Sequence, residues 1–210
     1  MELRIDGLSK RYVSHWVFRN LTASIQANTH FAITGPNGSG KSTLLKILSG
    51  ALHPSEGTVT YRKANKHINA DSIFSQISFA APYAEMIEEM TIPEALRFHS
   101  RFRVFYQEVA ELDAFCASLE FEFRQDQQIQ FMSSGMKQRL RLAFAMGTRS
   151  SVLLLDEPST NLDSGGVQWF HRMLSRFGTE RTVVISSNAR ADLVTCTQQL
   201  HLGQQDDQVI

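Results

Sequence analysis

The sequence predicts an α/β fold: a buried, mostly parallel sheet interrupted by a helical insertion between about residues 83 and 143. Three observations carry this. The runs His30-Phe-Ala-Ile-Thr34, Val152-Leu-Leu-Leu155 and Thr182-Val-Val-Ile-Ser186 are short and almost continuously apolar, as strands covered on both faces are. The first of them runs into a glycine-rich segment followed by a helical pattern, Leu44, Leu45, Ile47 and Leu48. From about 83 to 149 the apolar residues recur with helical period instead.

In chain order, residues 1–34 read as short strands carrying Leu3, Ile5, Phe18, Leu21 and Ile25, ending in the 30–34 run. Strand character returns over 57–80, at Thr58-Val-Thr-Tyr61 and Ile77-Ser-Phe-Ala80. The basic segment Tyr61-Arg-Lys-Ala-Asn-Lys-His67 reads as a solvated hairpin. No internal repeat, low-complexity tract or Pro/Gly-rich linker divides the 210 residues, so one domain is expected. Its core would be 1–82 and 144–210.

Composition excludes several classes. Lys and Arg number 21 and Asp and Glu 21, so the formal net charge is zero. Nucleic-acid binders draw affinity from a basic excess, and no nucleic acid partner is expected here. No run reaches the roughly 18–20 apolar residues of a membrane span, and the first residues lack the layout of a signal peptide. The expected location is the cytosol, free or attached to a membrane through a partner. Cys116 and Cys196 read as apolar fillers, and the seven histidines show no pair at metal-ligand spacing.

Gly35-Pro36-Asn37-Gly38-Ser39-Gly40-Lys41-Ser42-Thr43 satisfies every fixed position of a phosphate loop. Glycines let the backbone N–H groups turn toward phosphate oxygens, and the following helix N-terminus adds its dipole. Lys41 would contact the β- and γ-phosphates and the Ser42 hydroxyl would ligate Mg²⁺. The run 152–155 ends in Asp156-Glu157, at the carboxyl edge where open α/β sheets bind ligands. Asp156 is suited to hold Mg²⁺ through water, and Glu157 to act as general base on the attacking water.

Between these sites stands Met132-Ser-Ser-Gly-Met-Lys-Gln-Arg139. A Ser-Ser-Gly before a helix is an N-cap and an anion site in its own right. The segment also resembles the signature motif of ATP-binding cassette (ABC) ATPases, L-S-G-G-Q-x-Q-R, with Ser133 and Gly135 matching and Met132, Ser134 and Met136 departing. The order phosphate loop, signature, Asp-Glu makes the resemblance cover essentially the whole chain. It implies a P-loop NTPase (RecA-like) core of ABC ATPase type, with an antiparallel β subdomain and an inserted helical subdomain. Tyr12 matches the aromatic that stacks on adenine, and Ser159-Thr-Asn-Leu-Asp163 resembles the D-loop, bringing Asp163 near the opposite nucleotide. The family further implies ATP and Mg²⁺ as ligands and a head-to-tail dimer with a second ABC subunit. It also implies a transmembrane permease as partner on the cytoplasmic face of the membrane.

Two positions depart from the family pattern. Pro82 stands where a glutamine that contacts Mg²⁺ is expected, with Gln76 a poor substitute. Asn188 stands where the strand should end in the H-loop histidine; its amide retains one donor toward the γ-phosphate. Binding is expected to survive and turnover to be slow. In the insertion, Phe98, Phe102 and Phe105 recur at helical spacing beside Arg97 and Arg101, a stripe that faces either the core or a docked partner. Glu85, Glu88, Glu89 and Glu94 form an acidic face or rim. The transporter ATPase is the expected function. A soluble ABC protein on ribosome or DNA, and a regulatory subunit that binds without turnover, are the alternatives.

Overall fold

The structure, a computed structural model, describes residues 1–64, 66–69, 72–82 and 84–203. The chain opens with β1 (Glu2–Tyr12), β2 (His15–Ile25) and β3 (His30–Thr34), followed by α1 (Lys41–Leu48). Then come β4 (Glu56–Lys63), β5 (Lys66–His67), α2 (Ile73–Gln76) and β6 (Ile77–Ala80). The insertion supplies α3 (Ile92–His99) and α4 (Leu112–Leu119), and α5 (Ser134–Gly147) leads back to β7 (Val152–Asp156). The chain continues through α6 (Ser164–Phe177) and β8 (Thr182–Ser186) to β9 (Gln198–His201).

Two sheets result. An antiparallel sheet has the order β2-β1-β4-β5, and a five-stranded sheet has the order β6-β7-β8-β3-β9, parallel at every pairing. Strand side chains alternate faces, so the parallel strands feed two cores. Leu153, Leu155, Val183 and Ile185 pack with α5, α6 and the insertion. Phe31, Ile33, Val152, Leu154 and Val184 pack with α1 and the antiparallel sheet. Burial on both sides explains why these strands read as continuous apolar runs.

α5 ties the insertion to the sheet, running through residue 143 without a break. Its C-terminal end is held from outside: the buried Arg181 donates to Met146 O at 2.7 Å and Thr148 O at 3.0 Å. A guanidinium there satisfies carbonyls that no helical N–H can reach and opposes the negative end of the dipole. α3 starts on a capping box between Thr91 and Glu94, with Pro93 in its first turn.

The aromatic stripe is not one helical face. α3 ends at His99; Phe98 and Phe102 stack edge-on at 5.2 Å and are solvent-exposed, whereas Phe105 is buried against Phe115 and Phe144. The spacing repeats, but the backbone leaves the helix between the first and second ring. The acidic residues divide as well, since Glu88 pairs with Lys137 on α5 at 2.6 Å and Glu94 serves the cap. The basic hairpin forms between β4 and β5, with Asn65 lying outside the described residues. Cys116 and Cys196 are free thiols, and burial pushes that of Cys196 up to about 11.

Candidate functional site

The loop after β3 is shaped by three glycines with positive φ, Gly35 (145°), Gly38 (82°) and Gly40 (96°). Two of them also need the absence of a side chain. A Cβ on Gly35 would lie 2.2 Å from Leu202 O, and one on Gly40 would lie 2.4 Å from Val17 Cγ1. The loop is therefore wedged between the end of β9 and the β2 strand. α1 begins at Lys41 with no acidic side chain in its first turn, so its N-terminal N–H groups face the loop with positive potential. The Lys41 side chain is buried and folds over the loop, donating to Gly35 O at 2.8 Å and Pro36 O at 3.3 Å.

Across from it, β7 delivers its two acids. Asp156 is 4% exposed and its Oδ1 meets no hydrogen-bond donor among the described residues. Glu157 leaves the strand with φ of 42° and its N–H bonded to Ser186 O at 2.7 Å. That turn brings Oε1 to 4.0 Å from Lys41 Nζ. Burial raises the Glu157 carboxyl above its ordinary value, against the opposing pull of Lys41. The donor set fits Mg²⁺: a buried carboxylate oxygen without a donor, and the exposed Ser42 hydroxyl at the start of α1, are hard oxygen ligands. No cluster of three His, Cys, Asp or Glu residues exists among the described residues, so the remaining ligands would come from phosphate and water.

Pro82 and Asn188 lie at the ends of the strands named for them. β6 spans Ile77–Ala80 in register with Val152–Leu155, so Pro82 follows the strand on the side where β7 ends in Asp156 and Glu157. Gln76 sits at the opposite edge, bonded to Lys63 and Ser151, away from the acids that end β7. Asn188 reaches the loop: its Oδ1 accepts from Gly35 N at 3.3 Å, which leaves its amide N–H groups for a ligand.

Ser133, Gly135 and Asp163 form a second surface. Ser133 caps α5 by accepting from Met136 N, and Asp163 caps α6 by accepting from Gly166 N. Gly135 leaves no room for a side chain, since its Cβ would come within 2.9 Å of Asn161 O. Arg139 lies 3.6 Å from Asp163, and Gln138 donates to Pro158 O at 3.0 Å, tying the signature helix to the loop after Glu157. Among the described residues no hydrogen bond or ion pair joins Ser133, Gly135 or Asp163 to Lys41, Asp156 or Glu157. Tyr12 is half-exposed at the end of β1 with Lys10 Nζ 5.0 Å from its ring centre. The hairpin that carries it rests on Gly40 through Val17.

Sequence reasoning missed what stands behind Glu157. The buried Ser187 hydroxyl lies 3.1 Å from Glu157 Oε2 and 2.6 Å from Asp192 Oδ2, and Asp192 is 1% exposed. Nothing in the order Asn188-Ala-Arg-Ala-Asp192 marks that acid as buried.

A glycine-wrapped phosphate loop, a lysine folded over it and an acid pair ending the neighbouring strand define a nucleoside-triphosphatase of the P-loop class. The comparisons give the family. The ABC transporter family model matches residues 18–160, and the chain belongs to that family. An uncharacterised ABC transporter ATP-binding protein of Bacillus subtilis is 28% identical over 200 residues, covering 92% of this chain and 88% of its own. The Nod factor export ATP-binding protein I of Rhizobium leguminosarum is 30% identical over 190 residues, covering 88% of this chain and 60% of its own. The chain spans 8% of the rat ATP-binding cassette sub-family A member 2, at 26% identity. Among solved structures, a putative ABC transporter ATP-binding protein of Pyrococcus furiosus superposes with a TM-score of 0.79 at 22% identity, covering 96% of this chain and 98% of its own. An ATP-binding cassette dimer in a post-hydrolysis state with ADP and phosphate does so at 0.79 and 23%, covering 95% and 94%. The fold is that of the ABC ATPases.

Proposed function

We propose that the chain is the ATP-binding and hydrolysing subunit of a membrane ABC transporter, working as a dimer whose closure on ATP drives transport. The observation that carries catalysis is the pair of acids at the end of β7. One is buried with an oxygen free for a Mg²⁺-bound water, and the other is held 4.0 Å from the phosphate-loop lysine. Lys41 would exchange its loop carbonyls for the β- and γ-phosphates, and Mg²⁺, held by Ser42 and Asp156, would offset their charge. Glu157, with its carboxyl raised by burial, takes the proton of the attacking water, and Asn188 supplies the neutral donor beside Gly35. Tyr12 supplies an aromatic face for adenine.

A dimer is supported by the absence of any hydrogen bond or ion pair, among the described residues, between Ser133, Gly135 or Asp163 and Lys41, which would leave the signature to serve a second subunit's nucleotide. No helix among the described residues is long and apolar enough to cross a membrane. A transmembrane permease would supply that part, with the chain peripheral on the cytoplasmic face. A groove of about 410 Å³ between β6 and the insertion, lined by Phe74, Phe79, Met86, His99, Arg103 and Arg141, suits docking of an apolar helix with a polar edge.

The test is Glu157→Gln. It should keep MgATP affinity, lower hydrolysis by about 10²–10⁴-fold, and turn a transient ATP-dependent dimer into a stable one by light scattering. Pro82, with no polar side chain, favours a second reading in which ATP is bound and not turned over. Tight MgATP binding by wild type with no hydrolysis, even beside its permease, would establish that reading instead.

A further inference from the structure

We propose that Asp192 is a positioning residue for Glu157, acting through Ser187, whose hydroxyl proton it holds away from the base. The inference rests on the reading of Glu157 as general base. Ser187 is fully buried and has one proton to give, with two carboxylates in reach: Asp192 Oδ2 at 2.6 Å and Glu157 Oε2 at 3.1 Å. Its oxygen also accepts from Ala189 N at 3.0 Å, which fixes the side chain between them.

The two acids have unequal claims. Asp192 is buried, and its other oxygen, Oδ1, meets no donor among the described residues, so the Ser187 proton is the hydrogen bond its carboxylate has there. Leaving a buried acceptor with none is costly. Glu157 is a third exposed and already faces Lys41 through Oε1. The proton therefore turns to Asp192.

The consequence falls on catalysis. With Oε1 toward Lys41, Oε2 is the oxygen left to accept from an attacking water. A Ser187 proton donated to it would occupy a lone pair and weaken it as an acceptor. Asp192 prevents that from the far side of the serine without touching substrate.

Asp192→Ala would free the Ser187 proton to bind Glu157. It should lower kcat about tenfold, the rate equivalent of one hydrogen bond to a charged group, with ATP affinity unchanged in a fluorescent-nucleotide titration. Adding Ser187→Ala removes the misdirected donor and should restore most of the lost rate. A residue that merely holds the 187–192 turn together predicts the opposite, since the double variant would then be slower still. Infrared difference spectra of each protein against its Glu157→Gln counterpart isolate the residue-157 carboxylate without requiring turnover. Its band should shift on Asp192→Ala and return in the double variant.

Should melting without nucleotide show Asp192→Ala unfolded, Asp192→Leu, with and without Ser187→Ala, fills the space with no acceptor and carries the same comparison. A double variant no faster than the single, or an unmoved carboxylate band, overturns the proposal. Insensitivity of wild-type hydrolysis to Glu157→Gln overturns the general-base reading instead.

Discussion

Gly40→Ala tests how the hairpin and the phosphate loop are joined. Gly40 has φ of 96°, and its missing side chain is what lets Val17 and Phe18 approach: a Cβ there would lie 2.4 Å from Val17 Cγ1 and 3.0 Å from Phe18 Cδ1. Two costs follow. Left-handed backbone penalises an L-residue by about 1–2 kcal/mol. Forcing a methyl into occupied space typically adds about 1–3 kcal/mol, so the sum is about 2–5 kcal/mol. Only the second cost involves Val17. Val17→Ala removes the colliding atom, so the double variant should regain part of the loss while keeping the backbone penalty. Urea unfolding of the wild type, both singles and the double measures the coupling, which should be at least about 1 kcal/mol for residues in contact. MgATP affinity should fall in Gly40→Ala and recover in part in the double. Strict additivity, or wild-type stability in Gly40→Ala, would show that the loop is not wedged against β2 and refute the reasoning.

Two further outcomes follow from other contacts. Burial, with Arg103 acting in the same direction, lowers His99 from 6.5 to about 4. The folded protein thus keeps this ring neutral while the unfolded chain protonates it. The contribution is fully present above pH 6.5 and is lost as pH falls toward 4, by about 2 kcal/mol at pH 5. His99→Gln should flatten that slope in urea titrations between pH 7 and 5, and an unchanged slope would remove His99 from the acid response. Asn188→Ala deletes the acceptor of Gly35 N–H. It should cost about 1 kcal/mol of stability and lower kcat; equal stability and equal turnover would leave Asn188 without a role at the loop.

What was legible in the sequence is what depends on neighbours along the chain. The phosphate loop could be read because Gly35, Gly38 and Gly40 meet a local conformational demand and Lys41 must follow at a fixed distance. The acids at 156 and 157 could be read because an apolar run ending in charge marks a strand leaving a buried sheet. The strand Ile77–Ala80 was read the same way, and its pairing with Val152–Leu155 fixes Gln76 at the far edge. The stripe of Phe98, Phe102 and Phe105 shows where periodicity misleads, because spacing does not reveal that the helix ends at His99.

The sequence by itself determined the fold class, the phosphate loop and the acid pair, since periodicity, glycine geometry and charge placement are properties of adjacent residues. Only the tertiary structure decided which partners those groups meet. Arg181 holds the end of α5 from 35 residues beyond Met146, Val17 presses on Gly40 from another sheet, and Asp192 stands behind Ser187 and Glu157. Burial of a charged or polar side chain is set by what the folded chain packs around it, and no local pattern encodes it.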